Sequence, residues 1–410
     1  MTPADIRPAT AWALVVGFAL VLLAVPAWRQ VASGHDGVLA AWNADDGAAA
    51  SGLLSANRDL LGRLEAVETA FEDGSPLRAA ALPTVQWALL RFGVGNETVY
   101  VAGPRPEWLT LRTGFDHTTG PAFLDPDVLE RRRRAVPVHP DPPLQPDPRP
   151  ALLDLHRQLQ ERKIELLVVP VPSKPAVVPS ALGVRASPGG SPARNPSLGP
   201  LLDTLRDAGI EVLDPSALLG ELGEDSYLRT DSHWSPAAVD GVAAALAERL
   251  ERFELGPRDR DWVRTPLGRT GRGDLWRALA VPAAEPLLPE ETVETQQVTS
   301  WDGLLWAPVR GAPVLLLGDS FSTVYSDDNL HWGTGGGLAE QLAYHLGRDV
   351  DRIARPDGAS DQVRRELVRR PGRLDGVRVV VYQVATREFS VGDWPVLELS
   401  PEDRPIASAE

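Results

Sequence analysis

Short apolar runs alternate with helical segments from about residue 85 onward, and this alternation limits the possible folds more than any other feature. The apolar runs are residues 164–169, 210–214, 314–317 and 378–384. Helices are predicted at residues 151–163, 201–208, 236–250 and 337–346, and the third begins with Ser235 as N-cap and Pro236 as first residue. Mostly apolar strands are typical of parallel sheets that helices cover on both faces. The pattern therefore predicts an α/β fold with a mostly parallel sheet.

Polar residues follow several of these runs directly. Ser173 and Lys174 follow the first run, Ser320 follows the third, and Thr386 and Arg387 follow the last. Active sites in such sheets lie beyond the carboxyl ends of the strands. We therefore expect these side chains to share one edge of the sheet.

Three residues form the pattern of a serine-type acyl-transfer site. Ser320 follows an apolar strand and precedes a glycine-rich stretch, so its hydroxyl should be exposed near free backbone N–H groups. Asp231 and His233 are two residues apart, which places both side chains on one face of an extended segment. The carboxylate can then orient the imidazole while the imidazole reaches the serine. Asp231 and His233 could instead bind a metal, but the sequence identifies no third ligand, so we expect neither a metal nor a cofactor.

Further candidates for substrate or oxyanion binding are Ser173, Lys174 and Arg387. Lys174 is one of only two lysines in the chain, although an exposed loop lysine is the alternative. The guanidinium of Arg387 could bind an oxyanion or a carboxylate, or could pair with Glu388.

Two aromatic residues near the motifs are also candidates. Tyr325 and Trp234 could line the pocket, and burial in the core is the alternative for both.

Composition excludes several classes of function. The net charge of −15 argues against a nucleic-acid partner, and the one basic run, residues 131–134, is typical of a solvated helix end. The chain has no cysteine, so disulfides, thiol catalysis and cysteine–metal sites are excluded.

The N-terminal segment predicts export. Residues 11–28 contain no charged side chain and favour an uncleaved membrane anchor. A cleaved signal peptide ending near residues 25–27 is the alternative, and both place the rest of the chain outside the cytoplasm. We expect an anchor or signal at 1–30, a helical stalk or layer at 31–84, a catalytic domain at 85–398 and a tail at 399–410.

Three stretches are predicted to be surface loops because they are rich in proline together with glycine, serine or acidic residues. These loops are residues 135–150, 186–200 and 282–297.

The motifs resemble those of the alginate O-acetyltransferase family, whose periplasmic members include AlgJ and AlgX. The resemblance rests on Asp-Ser-His-Trp at 231–234, Gly-Asp-Ser-Phe-Ser at 318–322, Val-Pro-Val-Pro-Ser-Lys at 169–174, Arg387 and the helix at 337–346. It covers roughly residues 85–395. Ordinary SGNH hydrolases carry the serine before the histidine, and the order here is reversed.

The resemblance implies an SGNH-hydrolase-like three-layer sandwich preceded by a membrane helix. It makes Ser320 the nucleophile, His233 the general base and Asp231 the acid that orients it. The family transfers acetyl groups to hydroxyls of an exported polysaccharide, and an integral-membrane acyltransferase passes the acetyl unit across the membrane. An anchor followed by one catalytic domain is closer to the AlgJ type than to the AlgX type, which adds a carbohydrate-binding module.

Other functions stay open at this point. A carbohydrate acetylesterase would use the same three residues with water as acceptor, and a non-catalytic polysaccharide-binding component of a secretion complex would not use them. Alginate is a doubtful acceptor, since an acidic surface repels a polyanion unless the cleft is locally basic.

Overall fold

The computed structural model describes residues 76–103, 105–135, 143–183, 193–282, 286–356 and 358–400. The chain divides into two compact units, Met1–Trp87 and Ala88–Glu410. The expected anchor or signal at 1–30, most of the expected stalk at 31–84 and the tail beyond residue 400 lie outside the described residues. The described part of the first unit belongs to a helix at Pro76–Arg91. None of the described helices combines the length and the apolar character that crossing a membrane requires.

The elements of the described residues follow the predicted alternation. The strands are β1 (Val99–Val101), β2 (Leu109–Leu111), β3 (Glu165–Val171), β4 (Glu211–Val212), β5 (Val263–Gly271), β6 (Glu291–Thr299), β7 (Val314–Gly318), β8 (Val350–Ala354) and β9 (Val379–Ala385). The helices are α1 (Pro76–Arg91), α2 (Arg112–Thr119), α3 (Pro126–Ala135), α4 (Pro148–Gln160), α5 (Lys174–Val177), α6 (Leu198–Asp207), α7 (Ser216–Leu222), α8 (Pro236–Leu250), α9 (Asp274–Leu279), α10 (Ser320–Thr323), α11 (Leu338–Leu346), α12 (Gln362–Val368) and α13 (Glu388–Val391). Short 3-10 turns lie at Pro179–Leu182, Gly223–Ser226 and Asp328–Leu330.

A five-stranded sheet in the order β4-β3-β9-β7-β8 forms the centre of the second unit. All four pairings in this sheet are parallel, which confirms the predicted sheet type. Strands β1 and β2, and strands β5 and β6, form separate antiparallel pairs.

Alternate residues of the central strands enter two different cores. Val314 and Leu316 of β7 pack with helices α8 and α11, whereas Leu315 and Leu317 pack with helices α4, α6 and α12. Both faces of the sheet are therefore covered by helices, and the three layers explain why these strands are apolar along their whole length. The predicted N-cap of α8 is confirmed, because the Ser235 hydroxyl accepts a hydrogen bond from the Ala238 N–H (3.2 Å).

The prediction of a loop at residues 282–297 was wrong in its second half. β6 begins at Glu291 and pairs with β5 over nine residues, from Gly271 opposite Glu291 to Val263 opposite Thr299. Both strands are rich in Thr, Glu, Gln and Arg, and β5 has no buried residue, so they lack the regular apolar alternation that marks a half-buried strand. The loops expected at 135–150 and 186–200 end in helices, since α4 and α6 begin at Pro148 and Leu198, and much of the remainder lies outside the described residues.

The three central strands end at the same edge of the sheet. β3, β9 and β7 are neighbours and run in one direction. The residues just beyond them are Ser173 and Lys174, Thr386 and Arg387, and Asp319 and Ser320. The candidate residues therefore gather at the carboxyl edge, as the sequence predicted.

Candidate active site

The nucleophile candidate begins a short helix directly after β7. Ser320 is the first residue of α10, and the Asp319 carboxylate caps this helix by accepting a hydrogen bond from the Phe321 N–H (2.9 Å). The same carboxylate accepts hydrogen bonds from the Gln383 side-chain amide (2.9 Å) and from the Ala385 N–H (3.1 Å) of β9. Asp319 thus ties the turn that carries Ser320 to the neighbouring strand β9.

Gln383 of β9 also holds this turn, and its role was not identified from the sequence. Its side chain is fully buried, and its oxygen accepts hydrogen bonds from the Asp319 N–H (3.1 Å) and the Ser322 hydroxyl (2.6 Å). A Cβ atom on Gly318 would overlap the Ser322 hydroxyl and lie 2.8 Å from the Gln383 oxygen, so only glycine fits there.

The base and acid candidates lie on a tight loop before α8 and reach Ser320. His233 Nε2 is 2.8 Å from Ser320 Oγ, and His233 Nδ1 is 2.6 Å from Asp231 Oδ1. An ionised carboxylate only accepts hydrogen bonds, so Nδ1 carries the hydrogen and Nε2 is free to accept the serine proton. Asp231, His233 and Ser320, which the sequence predicts to act together, therefore form one continuous hydrogen-bonded relay.

Asp231 is fully buried, with donors on both of its oxygens. Oδ1 accepts hydrogen bonds from Nδ1 and from the N–H of His233, the second at 3.0 Å. Oδ2 accepts hydrogen bonds from Trp332 Nε1 (2.7 Å) and from the Asp274 N–H (3.0 Å). Trp332 and Asp274 were not identified from the sequence.

The electrostatic interaction between Asp231 and His233 shifts the pKa values of both residues. Burial opposes ionisation of Asp231, but the charge of His233 and the hydrogen bonds from His233, Trp332 and the Asp274 N–H lower the pKa of Asp231 below its ordinary value. Burial also disfavours the imidazolium, yet the charge of Asp231 and its hydrogen bond raise the pKa of His233 above the ordinary 6.5. An ionised acid beside a more basic imidazole is the state that a general base requires.

Lys174 holds in place the loop that carries Asp231 and His233, which we call the acid–base loop. Its ammonium group is buried and donates hydrogen bonds to the carbonyl oxygens of Leu109 (2.5 Å), Arg229 (3.2 Å) and Asp231. Three backbone carbonyls use all three of its donors. Burial lowers the pKa of Lys174 to about 8, so it is protonated at neutral pH. Its donors are directed at the backbone and not at a substrate. Lys174 is therefore neither an oxyanion-binding residue nor an exposed loop lysine, the two roles considered from the sequence.

Arg387 and Ser173 line a small cavity beside the relay, together with Ser232 and Phe321. The Arg387 guanidinium lies 5.4 Å from the ring centroid of Phe321 and 3.9 Å from the Glu388 carboxylate. The ion pair considered from sequence is thus too long for a hydrogen bond. Within the described ranges the guanidinium has no hydrogen-bond acceptor, and the buried Ser173 hydroxyl likewise has no partner. Both groups therefore line this cavity without a hydrogen-bond partner among the described residues.

Tyr325 and Trp234 lie beneath the site as core residues. Both are fully buried, and the Tyr325 hydroxyl donates a hydrogen bond to the Trp234 carbonyl oxygen (2.7 Å). The Trp234 indole donates to the Phe321 carbonyl oxygen (2.9 Å) and links the histidine loop to the serine helix. Of the two alternatives drawn from sequence, burial in the core is the one that the structure shows.

Asp231, His233 and Asp274 bring potential metal-ligand atoms within 4.8 Å of one another. Every one of these atoms already has a hydrogen-bond donor or acceptor opposite it, including the two Asp274 oxygens, which accept from the N–H and hydroxyl of Ser232. A cation would have to displace these donors, so the cluster fits a hydrogen-bonded relay better than a metal centre.

The parallel three-layer fold, with a serine and a histidine brought together at its carboxyl edge, defines an SGNH hydrolase-like domain. Residues 137–386 match the family described as SGNH hydrolase-like domain, acetyltransferase AlgX. The match covers more than half of the chain, and the chain belongs to this family of acyltransferases.

Individual relatives agree with this assignment. A probable alginate O-acetylase AlgJ from Pseudomonas aeruginosa is 31% identical over 209 residues, which is 47% of this chain and 51% of that protein. The chain thus spans about half the length of that relative. A probable alginate O-acetylase AlgJ from Pseudomonas putida is 26% identical over 291 residues, 68% of each chain. The solved O-acetyltransferase domain of Pseudomonas putida AlgJ shares the fold, with a TM-score of 0.52 at 20% identity over 70% of this chain and 91% of that one. The family resemblance predicted from the motifs is confirmed.

Proposed function

We propose that this chain is an O-acetyltransferase that moves an acetyl group, through a covalent intermediate on Ser320, to a hydroxyl of an exported polysaccharide. The observation that carries the proposal is the relay itself, with 2.8 Å from Ser320 Oγ to His233 Nε2 and 2.6 Å from His233 Nδ1 to Asp231 Oδ1. Membership of an acetyltransferase family and the acetylase names of its relatives support the choice of acyl group and acceptor.

In the first half-reaction the Ser320 oxygen attacks the acetyl carbonyl carbon while His233 Nε2 takes the hydroxyl proton. The negative charge that develops on the carbonyl oxygen needs donors, and two lie nearby. The Ser320 N–H belongs to the first residue of α10 and has no partner within that helix, and the Arg387 guanidinium has no acceptor among the described residues. The leaving group departs with the proton from His233, and acetyl–Ser320 remains.

In the second half-reaction a sugar hydroxyl attacks the acetyl–Ser320 carbonyl. His233 takes the proton of this hydroxyl and returns it to Ser320 Oγ as the ester bond to the enzyme breaks. Ser320 is only 7% exposed, which limits the access of water that would otherwise hydrolyse the intermediate. Transfer over hydrolysis then depends on how well the acceptor fills the site.

We place this reaction on the extracytoplasmic side of a bacterial inner membrane. The uncharged segment at residues 11–28 supports an anchor or an export signal there. An acetyl donor outside the cytoplasm calls for a carrier across the membrane, and an integral-membrane O-acyltransferase is the partner that we propose for this step.

The test is incubation of the full-length chain in detergent with an activated acetyl ester, with and without oligosaccharide acceptors. We expect intact-mass and peptide analysis to place an acetyl group on Ser320, and product analysis to find it on a sugar hydroxyl. Ser320→Ala should abolish the adduct while the folded structure persists. Acetate release that does not depend on the sugar would instead establish an esterase, and an adduct that persists in Ser320→Ala would refute the assignment of the nucleophile.

The same assay compares classes of acceptor. Because the chain carries a net charge of −15, we expect neutral oligosaccharides to accept acetyl better than polyuronates, and the preference should weaken at high salt. A strong preference for alginate fragments would show that the cleft is locally basic.

A further inference from the structure

A second carboxylate, that of Asp274, lies beside the same nitrogen of His233 that Asp231 orients. Asp274 Oδ2 is 3.9 Å from His233 Nδ1, which is too far for a direct hydrogen bond. The Ser232 hydroxyl fills the gap, with its oxygen 2.6 Å from Asp274 Oδ2 and 3.3 Å from His233 Nδ1. The imidazole therefore has two acceptors on one side, and Ser320 on the other.

The hydrogen positions along this path follow from the chemistry of its groups. Burial and the charge of Asp231 raise the pKa of Asp274, whereas the charge of His233 and the two hydrogen bonds from Ser232 favour the ionised carboxylate. In its ionised form Asp274 can only accept, so the Ser232 hydroxyl donates its single proton to Asp274. Its oxygen lone pairs remain for the Nδ1 hydrogen of His233, which is shared between Asp231 Oδ1 and Ser232 Oγ. A hydroxyl polarised in this way presents more negative charge to the ring than a free one.

The backbone keeps the second acceptor in register with the first. Asp274 Oδ1 accepts a hydrogen bond from the Ser232 N–H (2.7 Å), and the Asp274 N–H donates to Asp231 Oδ2 (3.0 Å). Asp274 is the first residue of α9, which follows Gly273, where a Cβ atom would overlap Asp231. One residue thus binds both of the acceptors of His233, and it lies 42 and 43 residues farther along the chain than these two acceptors.

We propose that Asp274, acting through the Ser232 hydroxyl, is a positioning residue that stabilises the His233 imidazolium alongside Asp231. The inference rests on the proposed acyl transfer for its catalytic meaning, but its effect on the histidine is independent of activity. The charged groups that face His233 are Asp231 and Asp274, which favour the imidazolium, and Arg387, which opposes it. Removing Asp274 therefore leaves Arg387 less opposed.

The direct test is an NMR titration of His233 in the full-length chain and in variants. The chain has seven histidines, and His233→Gln identifies the signal by its disappearance. We expect Asp274→Asn to lower the pKa of His233 by about one pH unit, the usual effect of removing a carboxylate a few ångströms away. Ser232→Ala should lower the pKa of His233 by a smaller amount. This second variant keeps the inference testable if Asp274→Asn fails to fold.

The matched control is Glu291→Gln. Glu291 braces the same loop, accepting hydrogen bonds from the N–H groups of Arg229 (2.8 Å) and Thr230 (3.0 Å), but it does not face His233. The Glu291→Gln substitution should lower the melting temperature of the protein without changing the pKa of His233. An unchanged pKa in both Asp274→Asn and Ser232→Ala, or an equal shift in Glu291→Gln, would overturn the proposal.

Acylation rates add a second readout. In Asp231→Asn the second acceptor should preserve part of the activity, so the further change Asp274→Asn should lower the rate of Ser320 acylation at least tenfold more. If Asp274→Asn costs nothing in that background, the two carboxylates do not share the imidazole. If the unaltered protein forms no acetyl–Ser320, the proposed function fails, while the titration still decides the inference.

Discussion

Trp332 Nε1 donates a hydrogen bond of 2.7 Å to Asp231 Oδ2, the oxygen of the acid that His233 does not use. The two residues lie 101 positions apart, and Trp332 comes from the loop between α10 and α11. It follows His331, whose φ of 66° is in the left-handed region that non-glycine residues rarely adopt. With the Asp274 N–H on the same oxygen, the indole leaves Asp231 Oδ1 to the histidine.

Replacing this tryptophan tests how much the acid depends on its donor. Trp332→Phe keeps most of the buried ring and removes one hydrogen bond to a charged group, a loss of about 2 kcal/mol. We expect Ser320 acylation to slow roughly 10- to 100-fold by stopped-flow release of the leaving group from an activated acetyl ester. Trp306→Phe is the control, because the Trp306 indole N–H is buried without a hydrogen-bond partner among the described residues. Equal rates in the two variants would show that packing, and not the hydrogen bond, matters.

Lys174 offers a test of the loop's support, since the chain contains only one other lysine. Lys174→Met has a similar length but removes the ammonium donor of the Leu109 and Asp231 carbonyl oxygens, at about 1–3 kcal/mol for each buried group that finds no other, whereas the Arg229 carbonyl oxygen keeps the Leu109 N–H. The melting temperature should fall by several degrees, and kcat should fall more than KM rises. Lys163→Met, at an exposed position, should change neither quantity. A normal kcat in a folded Lys174→Met variant would contradict the positioning role.

The sequence identified the relay because its chemistry is concentrated in two short motifs. Asp231 and His233 are neighbours in the chain, and Ser320 is marked by the strand before it. Trp332 could not be recognised in the same way, since it is one of 12 tryptophans and its partner is set only by the tertiary fold. The same holds for Asp274, one of many acidic residues.

The sequence predicts strands where their apolar residues are uninterrupted and misses them elsewhere. Strand β8, at the edge of the central sheet, is largely buried but is not predicted, because Asp351 and Arg352 interrupt its apolar residues. The predictions of β7 and β9 are confirmed to within about one residue at their ends, because each strand is a run of apolar residues. The sequence predicts a loop where β6 begins, although Glu291 at its start accepts hydrogen bonds from the N–H groups of Arg229 and Thr230. The β5–β6 pair is held by backbone pairing over nine residues and by the contacts of Glu291 at its end, which leave little trace in hydrophobic periodicity.

The rate of acylation should depend on the protonation of His233. The pKa of His233 is raised above 6.5, and only the neutral imidazole can take the Ser320 proton. The rate should therefore rise with pH along a single limb whose midpoint lies above 6.5. Folding stability follows the opposite course, because the contribution of the charged pair is complete below 6.5 and is lost as the pH rises through the raised pKa. A midpoint below 6.5, or a flat profile between pH 5 and 9, would contradict this.

Gly273 provides the sharpest test of how closely the supporting segment must approach the acid. A Cβ atom there would overlap the Cα and Cβ atoms of Asp231 and lie 2.5 Å from the Thr230 carbonyl oxygen. Backbone cannot yield by that amount without moving the loop, and displacing a catalytic group by about 1 Å costs on the order of 100-fold in rate. We expect Gly273→Ala to reduce acylation of Ser320 by at least that factor. Gly268→Ala, in β5, has no atom within 4 Å of the new methyl group and should acylate normally, so a comparable loss there would show that the effect is not specific to the contact between Gly273 and Asp231.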